Sequence, residues 1–309
     1  MKYNFFYLCT MLSILIPVYN IDCTKLVNEL HKQCIKSNVI FEILCFDDCS
    51  KPEFRQKNQV LSFLFGVSYV ELRENHGRAK IRNLLAGNAS NKFLLFIDAD
   101  SKVPNKSYIK KYLAELKPGE VIYGGRSYQK NKPGAKKILH WLYGANRESQ
   151  PAKKRNKAPY LNFLSNNFLI PSDVFVKHRF DPAHEGYGYE DTLFATRLMH
   201  ASITIRHINN PLLHSGLENG DIFLKKTLNA LDNLILLYRE GNILETRLIR
   251  AFHLLEKFSL TNIAYRYLEK RIKQYETNLL SASPLLRSFD LWKLYFFIKK
   301  MREFENGEI

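Results

Sequence analysis

Three short apolar runs, each ending abruptly in polar side chains, organise the first third of the chain. "LSILIPV" (Leu12 to Val18), "FEILCF" (Phe41 to Phe46) and "FLLFI" (Phe93 to Ile97) have the length and the β-branched or aromatic content of buried strands. Between them, Lys25 to Lys36 and Ala79 to Ala89 carry apolar residues at helical spacing. The order is therefore β-α-β-α-β, which predicts an α/β fold with a mostly parallel sheet flanked by helices. In such sheets ligands collect where the carboxyl ends of the strands open into a crevice. Each run is followed by candidate polar groups at that kind of position: "PVYN", then "DDCS", then "DADS".

From about Lys117 to Pro159 the pattern becomes rich in Gly, Pro and Lys. "VIYGGRSY" reads as a strand there, and "KNKPGAKK" and "QPAKKRNKAP" read as mobile loops. Order returns with "LNFLSNNFLIPSDVF" and with "HEGYGYEDTLFATRLMHA", where Leu193, Phe194 and Leu198 recur at helical spacing after Glu190 and Asp191. A strand, "SITIRHI", and a turn, "NNPLLHSG", close this part. Beyond it the chain reads as helical, with Leu224, Leu228, Leu231 and Ile235 on one stripe and a basic, aromatic "LWKLYFFIKKM" near the end. The expected division is an α/β domain over residues 1–220 and a C-terminal helical region over 221–309.

Composition sets bounds on this picture. At 309 residues, 46% of them hydrophobic, the chain can bury one large core or two modest ones. The formal charge of +16 is uneven. Lys130, Lys132, Lys136, Lys137, Arg147, Lys153, Lys154, Arg155 and Lys157 crowd one stretch with only Glu148 to oppose them, which suits an anionic partner. The cysteines Cys9, Cys23, Cys34, Cys45 and Cys49 are odd in number and fit neither zinc-ligand nor disulfide spacing, so a reduced, cytoplasmic setting is expected. The apolar N-terminus superficially suggests a signal peptide, but it lacks a small-residue cleavage site and "LSILIPVYN" reads as a first core strand. Met11 is an alternative start to Met1. No run reaches the roughly 18 apolar residues of a membrane span.

The candidate chemistry lies in carboxylates. Asp98 and Asp100 end an apolar run, and burying either without a counter-charge costs several kcal/mol as an order of magnitude. A divalent cation removes that cost; a solvated loop start, a helix cap or a phosphatase-type nucleophile are the other readings of so short a motif. Asp47 and Asp48 are equally readable as turn-forming acids. Glu190 and Asp191 open a helix, where carboxylates are stabilised by the dipole whatever their function. Arg78, Lys80 and Arg82 can meet an anion or line a solvated helix face. His214 is a metal-ligand candidate or a surface histidine, with His207 as its competitor.

Taken in order, "SILIPVYN", "DDCS", "ENHGRAKIRN", "FLLFIDADS" and "GYGYEDTLFATRL" resemble the family 2 glycosyltransferases of GT-A fold, over roughly residues 11 to 215. The resemblance implies a nucleotide cradle at Pro17, Tyr19, Asn20, Asp48, Asn75, Gly77, Arg78 and Arg82, with Asp98 towards the ribose. It implies Mn²⁺ or Mg²⁺ at Asp100, completed by His214, and Asp191 as the base with Glu190 beside it orienting the acceptor. Ile81 stands where the family usually has Ala, a mild departure that leaves Arg82 and Asn83 in place. The implied activity is inverting transfer of a sugar, from a UDP-sugar in the first instance, to a saccharide or lipid-linked saccharide acceptor, as in polysaccharide assembly. The lysine-rich loop and aromatic C-terminus suggest a peripheral position at the inner face of a membrane. The alternatives are a basic nucleic-acid-binding protein and an inactive scaffold of the same fold. The first is disfavoured because acids gathered at one sheet edge repel phosphate, so no nucleic-acid partner is expected; the second, because the required residues are present.

Overall fold

The computed structural model describes residues 11–183, 188–241 and 246–305. The N-terminal apolar segment with Cys9, the choice between Met1 and Met11, and the "HEGY" part of the acidic motif (184–187) lie outside the described residues. The chain divides into two compact units. The first gathers 11–128, 148–183 and 190–216; the second, 129–147, 188–189 and the described residues from 217 onward.

The described residues of the first unit form ten strands: β1 Met11–Val18, β2 Ile40–Asp47, β3 Val67–Glu71, β4 Phe93–Ile97, β5 Ser101–Lys102, β6 Val121–Tyr123, β7 Arg126–Ser127, β8 Asn167–Pro171, β9 Ile205–His207 and β10 Leu212–His214. Seven form a sheet in the order β3-β2-β1-β4-β8-β6-β9. The pairs β1–β2, β1–β4, β2–β3 and β6–β9 are parallel, and β8 runs antiparallel to both neighbours. Successive side chains of a strand face opposite sides of its sheet. Leu12, Ile14, Ile16 and Val18 of β1 and Leu95 and Ile97 of β4 accordingly enter one apolar cluster. Leu15, Leu94 and Phe96 enter the other. An uninterrupted apolar run is what a strand covered on both faces requires.

Sequence and structure differ at five places. "NNPLLHSG" is not a plain turn, because Leu212–His214 pairs as β10 in a small second sheet. "VSYVE" forms an unforeseen edge strand, β3, so the order is not a bare β-α-β-α-β. "VIYGGRSY" is not one strand: β6 belongs to the large sheet and β7 to a small one of order β5-β10-β7. The break falls at Gly124, where a Cβ would lie 2.5 Å from the Tyr112 hydroxyl, and Gly125, whose φ is +104°. "QPAKKRNKAP" is not a simple loop, because it holds the helical turn Ala152–Arg155. Arg155 is buried there over the Tyr123 ring, donating to the carbonyls of Gln150, Gly124 and Ile208, so it does not join the surface lysines. "KNKPGAKK" likewise runs into the helix Ile138–Tyr143.

The second unit is helical, with Leu139, Leu224, Leu231, Ile235, Phe252, Trp292, Phe297 and Ile298 in its core. Trp292, Tyr295 and Phe297 are therefore packing residues, which removes the aromatic half of the case for a membrane-facing C-terminus. No helix among the described residues is long and apolar enough to cross a membrane. Cys23, Cys34 and Cys45 are buried free thiols, and Cys49 is free and partly exposed.

Candidate active site

The carboxyl ends of β1, β2 and β4 meet at one edge of the large sheet. After β1, Tyr19 stands 56% exposed and Asn20 takes a φ of +50°. Asn20 is pinned there: its amide donates to Ser50 Oγ at 2.7 Å, and its Oδ1 accepts from the Lys51 amide at 2.8 Å.

After β2, both aspartates are committed to the fold. Asp47 Oδ1 accepts from the Ser50 amide at 2.7 Å, and Asp47 Oδ2 from the Tyr69 hydroxyl at 2.7 Å. Asp48 accepts from the amides of His76 (2.7 Å) and Gly77 (3.0 Å), and so anchors the first turn of the helix Gly77–Gly87. Asn75 donates to the Asp48 carbonyl at 2.9 Å. Burial pushes the Asp48 carboxyl above its usual value despite the two amides. The turn-forming role that the sequence left open describes what both acids do here.

After β4 the situation reverses. Asp98 Oδ1 accepts from Arg82 Nη2 at 2.8 Å, and Asp98 Oδ2 faces Arg126 Nη2 at 3.4 Å. Asp100 points the other way, and the small sheet determines what it meets. Antiparallel pairing sets His214 opposite Ser101, and parallel pairing sets Arg126 opposite Leu212. His214 Nδ1 thereby comes within 3.3 Å of Asp100 Oδ2. Gly216 keeps this corner open: a Cβ on it would lie 2.5 Å from Asp100 Oδ2. Asp100 Oδ1 is buried without a hydrogen-bond partner among the described residues. Burial alone would raise the Asp100 carboxyl, but the His214 ring, with Arg126 and Arg78 farther off, holds it well below the usual range.

His207, the other histidine considered, sits elsewhere. It is buried on β9 against Arg155 Nη1 (3.0 Å) and the Pro159 carbonyl (3.0 Å), and burial followed by the Arg155 charge pushes it down to about 4. That is the environment of a neutral core histidine.

The helix Glu190–His200 is seated by an aromatic stack. Phe194 lies 4.3 Å from Phe180 between ring centroids, and Phe96 lies 4.7 Å from Phe168. Its first residues thus reach the same edge. Glu190 Oε1 accepts from Arg78 Nη1 at 3.1 Å and lies 4.0 Å from Arg82 Nη1. Arg82 therefore joins the acids after β4 to the acids of this helix. Burial would raise Glu190, but Arg78 and Arg82 outweigh it and hold the group ionised. Asp191 moves oppositely, pushed up to about 7 by burial and then by the charge of Glu190, although the Thr192 amide donates to it at 2.8 Å. Lys80, on the same helix as Arg78 and Arg82, is exposed.

Three residues of this edge escaped the sequence reading. Arg126 Nη1 donates to Glu148 Oε2 at 3.2 Å, and the Tyr128 hydroxyl donates to that same oxygen. Their separation along the chain hides the cluster. The one available signal was Glu148 as the lone acid among nine basic residues.

Comparison with known proteins follows the same outline. The model of glycosyl transferase family 2 matches residues 13–175. An uncharacterized glycosyltransferase of Rickettsia felis is 30% identical over 121 residues, 39% of this chain and 20% of its own length. One of Haemophilus influenzae is 36% identical over 92 residues, 29% of each chain. The poly(ribitol-phosphate) beta-N-acetylglucosaminyltransferase TarS of Staphylococcus aureus is 32% identical over 101 residues, 32% of this chain and 17% of its own. The matches thus span less than a third of these relatives. Among solved structures, a Pyrobaculum calidifontis mannosyltransferase in complex with GDP-Man and Mn²⁺ aligns with a TM-score of 0.57 at 13% identity, covering 95% of this chain and 86% of that one. TarS residues 1–349 in complex with UDP align with a TM-score of 0.50 at 18% identity, covering 96% and 92%. These likenesses bear on the fold, which is the GT-A arrangement of a mostly parallel mixed sheet flanked by helices, with C-terminal helices.

Proposed function

Because the chain belongs to glycosyl transferase family 2, we propose that it moves a sugar, with inversion, from a UDP-sugar to a saccharide or lipid-linked saccharide acceptor. The observation that carries this reading is the single edge at which Arg82 joins the β4 acids to the Glu190–Asp191 pair. On this reading a donor-side pair and an acceptor-side pair share one sheet edge.

On the donor side, Pro17, Tyr19, Asn20, Asn75 and Gly77 form the rim for base and ribose, with Asp48 holding the Asn75–Gly77 turn in place. Exposed Tyr19 offers a ring face to the base. Asp98 faces the ribose and half-exposed Arg78 is available to the diphosphate, whereas Arg82, which the sequence also offers for the nucleotide, is buried and instead holds Asp98 in place. Asp100 and His214 suit Mn²⁺ or Mg²⁺: the buried, unpartnered Asp100 Oδ1 is the kind of hard oxygen donor these ions take. Such an ion supplies Lewis acidity towards the departing nucleoside diphosphate.

On the acceptor side, Asp191 takes the proton of the attacking hydroxyl. Neighbouring acids whose environments drive their affinities for protons apart are a mark of divided acid–base labour. Glu190, fixed in its charged form by two arginines, raises the basicity of Asp191 towards the neutral range where a base works best. One base and a single displacement give inversion.

The test is Asp191→Asn assayed for sugar transfer across a panel of nucleotide sugars, with UDP binding followed in parallel. UDP binding stays near wild type and transfer falls on the order of 10²–10⁴-fold. Undiminished turnover would remove Asp191 as the base.

A further inference from the structure

A carboxylate with no neighbours of its own sign in the sequence has an unexpected place in the fold. Between Lys130 and Lys157, Glu148 is the only acid, yet it ignores the lysines around it and points inward. Its Oε2 accepts from Arg126 Nη1 at 3.2 Å and from the Tyr128 hydroxyl. Both donors reach onward. Arg126 extends its other terminal nitrogen to within 3.4 Å of Asp98 Oδ2. The Tyr128 ring stands edge-on to the His214 ring at 5.3 Å, and His214 in turn lies 3.3 Å from Asp100.

We propose that Glu148 is a positioning residue for the donor side of the site, one carboxylate that sets both Arg126 against Asp98 and Tyr128 against His214. Sequence proximity does not explain this arrangement. Arg126 and Tyr128 follow the Gly124–Gly125 break, while Glu148 returns to the first unit after a 19-residue excursion into the second. A part-buried ion pair that served the fold alone would need one cation. Here the same oxygen is shared by two donors, one of which reaches Asp98 directly and the other Asp100 through the His214 ring. Burial disfavours the charged carboxylate, but Arg126 and Tyr128 more than compensate, so the group remains an acceptor for both. An acceptor-only carboxylate suits this task, because an amide offers one oxygen without the charge that orients a guanidinium. Outer groups of this kind commonly carry 10–100-fold of a site's affinity.

The inference rests on the donor-side reading of Asp98, Asp100 and His214, and the experiment separates the two. Glu148→Gln, Tyr128→Phe and Asp100→Ala are compared with wild type by Mn²⁺ titration in the presence of UDP, read by electron paramagnetic resonance of free Mn²⁺, alongside apo thermal melts. Glu148→Gln weakens Mn²⁺ half-saturation about tenfold or more while remaining folded, and it raises the UDP concentration needed at saturating Mn²⁺. Tyr128→Phe, which keeps the Arg126 arm, weakens Mn²⁺ but leaves UDP near wild type once the metal is saturating. A merely structural ion pair would lower the melting temperature of Glu148→Gln and leave both half-saturations of the folded protein unchanged, and that result overturns the proposal. Should Glu148→Gln not fold, wild-type Mn²⁺ binding by Tyr128→Phe overturns it equally. If Asp100→Ala retains wild-type Mn²⁺ binding, the donor-side reading itself fails; if Asp100→Ala loses it and Glu148→Gln keeps it, only the present inference does.

Discussion

Two strands of the same sheet, neighbours through β1, each end on a pair of aspartates, and the two pairs have opposite fates. After β2, Asp47 and Asp48 are buried and bonded to a hydroxyl and to the amides of Ser50, His76 and Gly77. After β4, Asp98 and Asp100 keep side-chain exposures of 20% and 31%, are faced by arginine and histidine side chains, and leave Asp100 Oδ1 without a partner. An acid whose oxygens are filled by backbone amides stabilises a turn. One faced by arginine and histidine side chains, with an oxygen lacking a partner among the described residues, is left able to take a ligand. Identical chemistry at equivalent positions is thus divided by what the rest of the chain brings to it.

Substitutions should separate the pairs. The largest effect belongs to Asp100→Ala, which should lower sugar transfer on the order of 10²–10³-fold while the apo protein melts close to wild type. Activity retained in this variant would erase the distinction. Asp47→Ala should do the converse, costing about 1–3 kcal/mol of stability because the Ser50 amide and Tyr69 hydroxyl lose their acceptor. Urea denaturation measures this, with the residual folded fraction still binding UDP.

The Glu190–Asp191 pair sharpens the comparison with a smaller, pH-dependent effect. Its raised Asp191 carboxyl, titrating at about 7, predicts transfer that climbs between pH 6 and 8 as the base form fills. A flat profile would contradict that role. The sign for stability is the reverse. The folded state holds this proton more tightly than the unfolded chain, so the contribution is greatest below about pH 4, is lost as pH rises towards 7, and is absent above it. Asp191→Asn should flatten that decline and gain on the order of 1 kcal/mol over wild type at pH 8. On the proposed role of Asp191, function and stability pull against each other at one residue.

The parts of this account visible in the sequence are those decided locally. β1, β2 and β4 were legible because a strand covered on both faces must be apolar throughout, and the acids that follow them stand out against it. β3 was not, because an edge strand exposing Ser68, Val70 and Glu71 carries no such run. The pairing of His214 with Asp100 depends on the register of a small sheet whose strands are only two or three residues long, too short to announce themselves. Arg155 is indistinguishable in sequence from the lysines around it, because most of its hydrogen-bond partners are carbonyls, which no side-chain pattern reveals. The Arg126–Glu148 pair is hidden for a similar reason: its two members meet only after the chain has left the first unit and returned.

The most direct measurement is the thermal stabilisation by UDP with Mn²⁺ of wild type, Asp100→Ala and Asp47→Asn. Wild type should gain on the order of 5–10 °C at saturating ligand, Asp47→Asn should start lower and gain nearly as much, and Asp100→Ala should gain nothing from Mn²⁺. A full Mn²⁺-dependent gain in Asp100→Ala would contradict the assignment of the open aspartate to the metal.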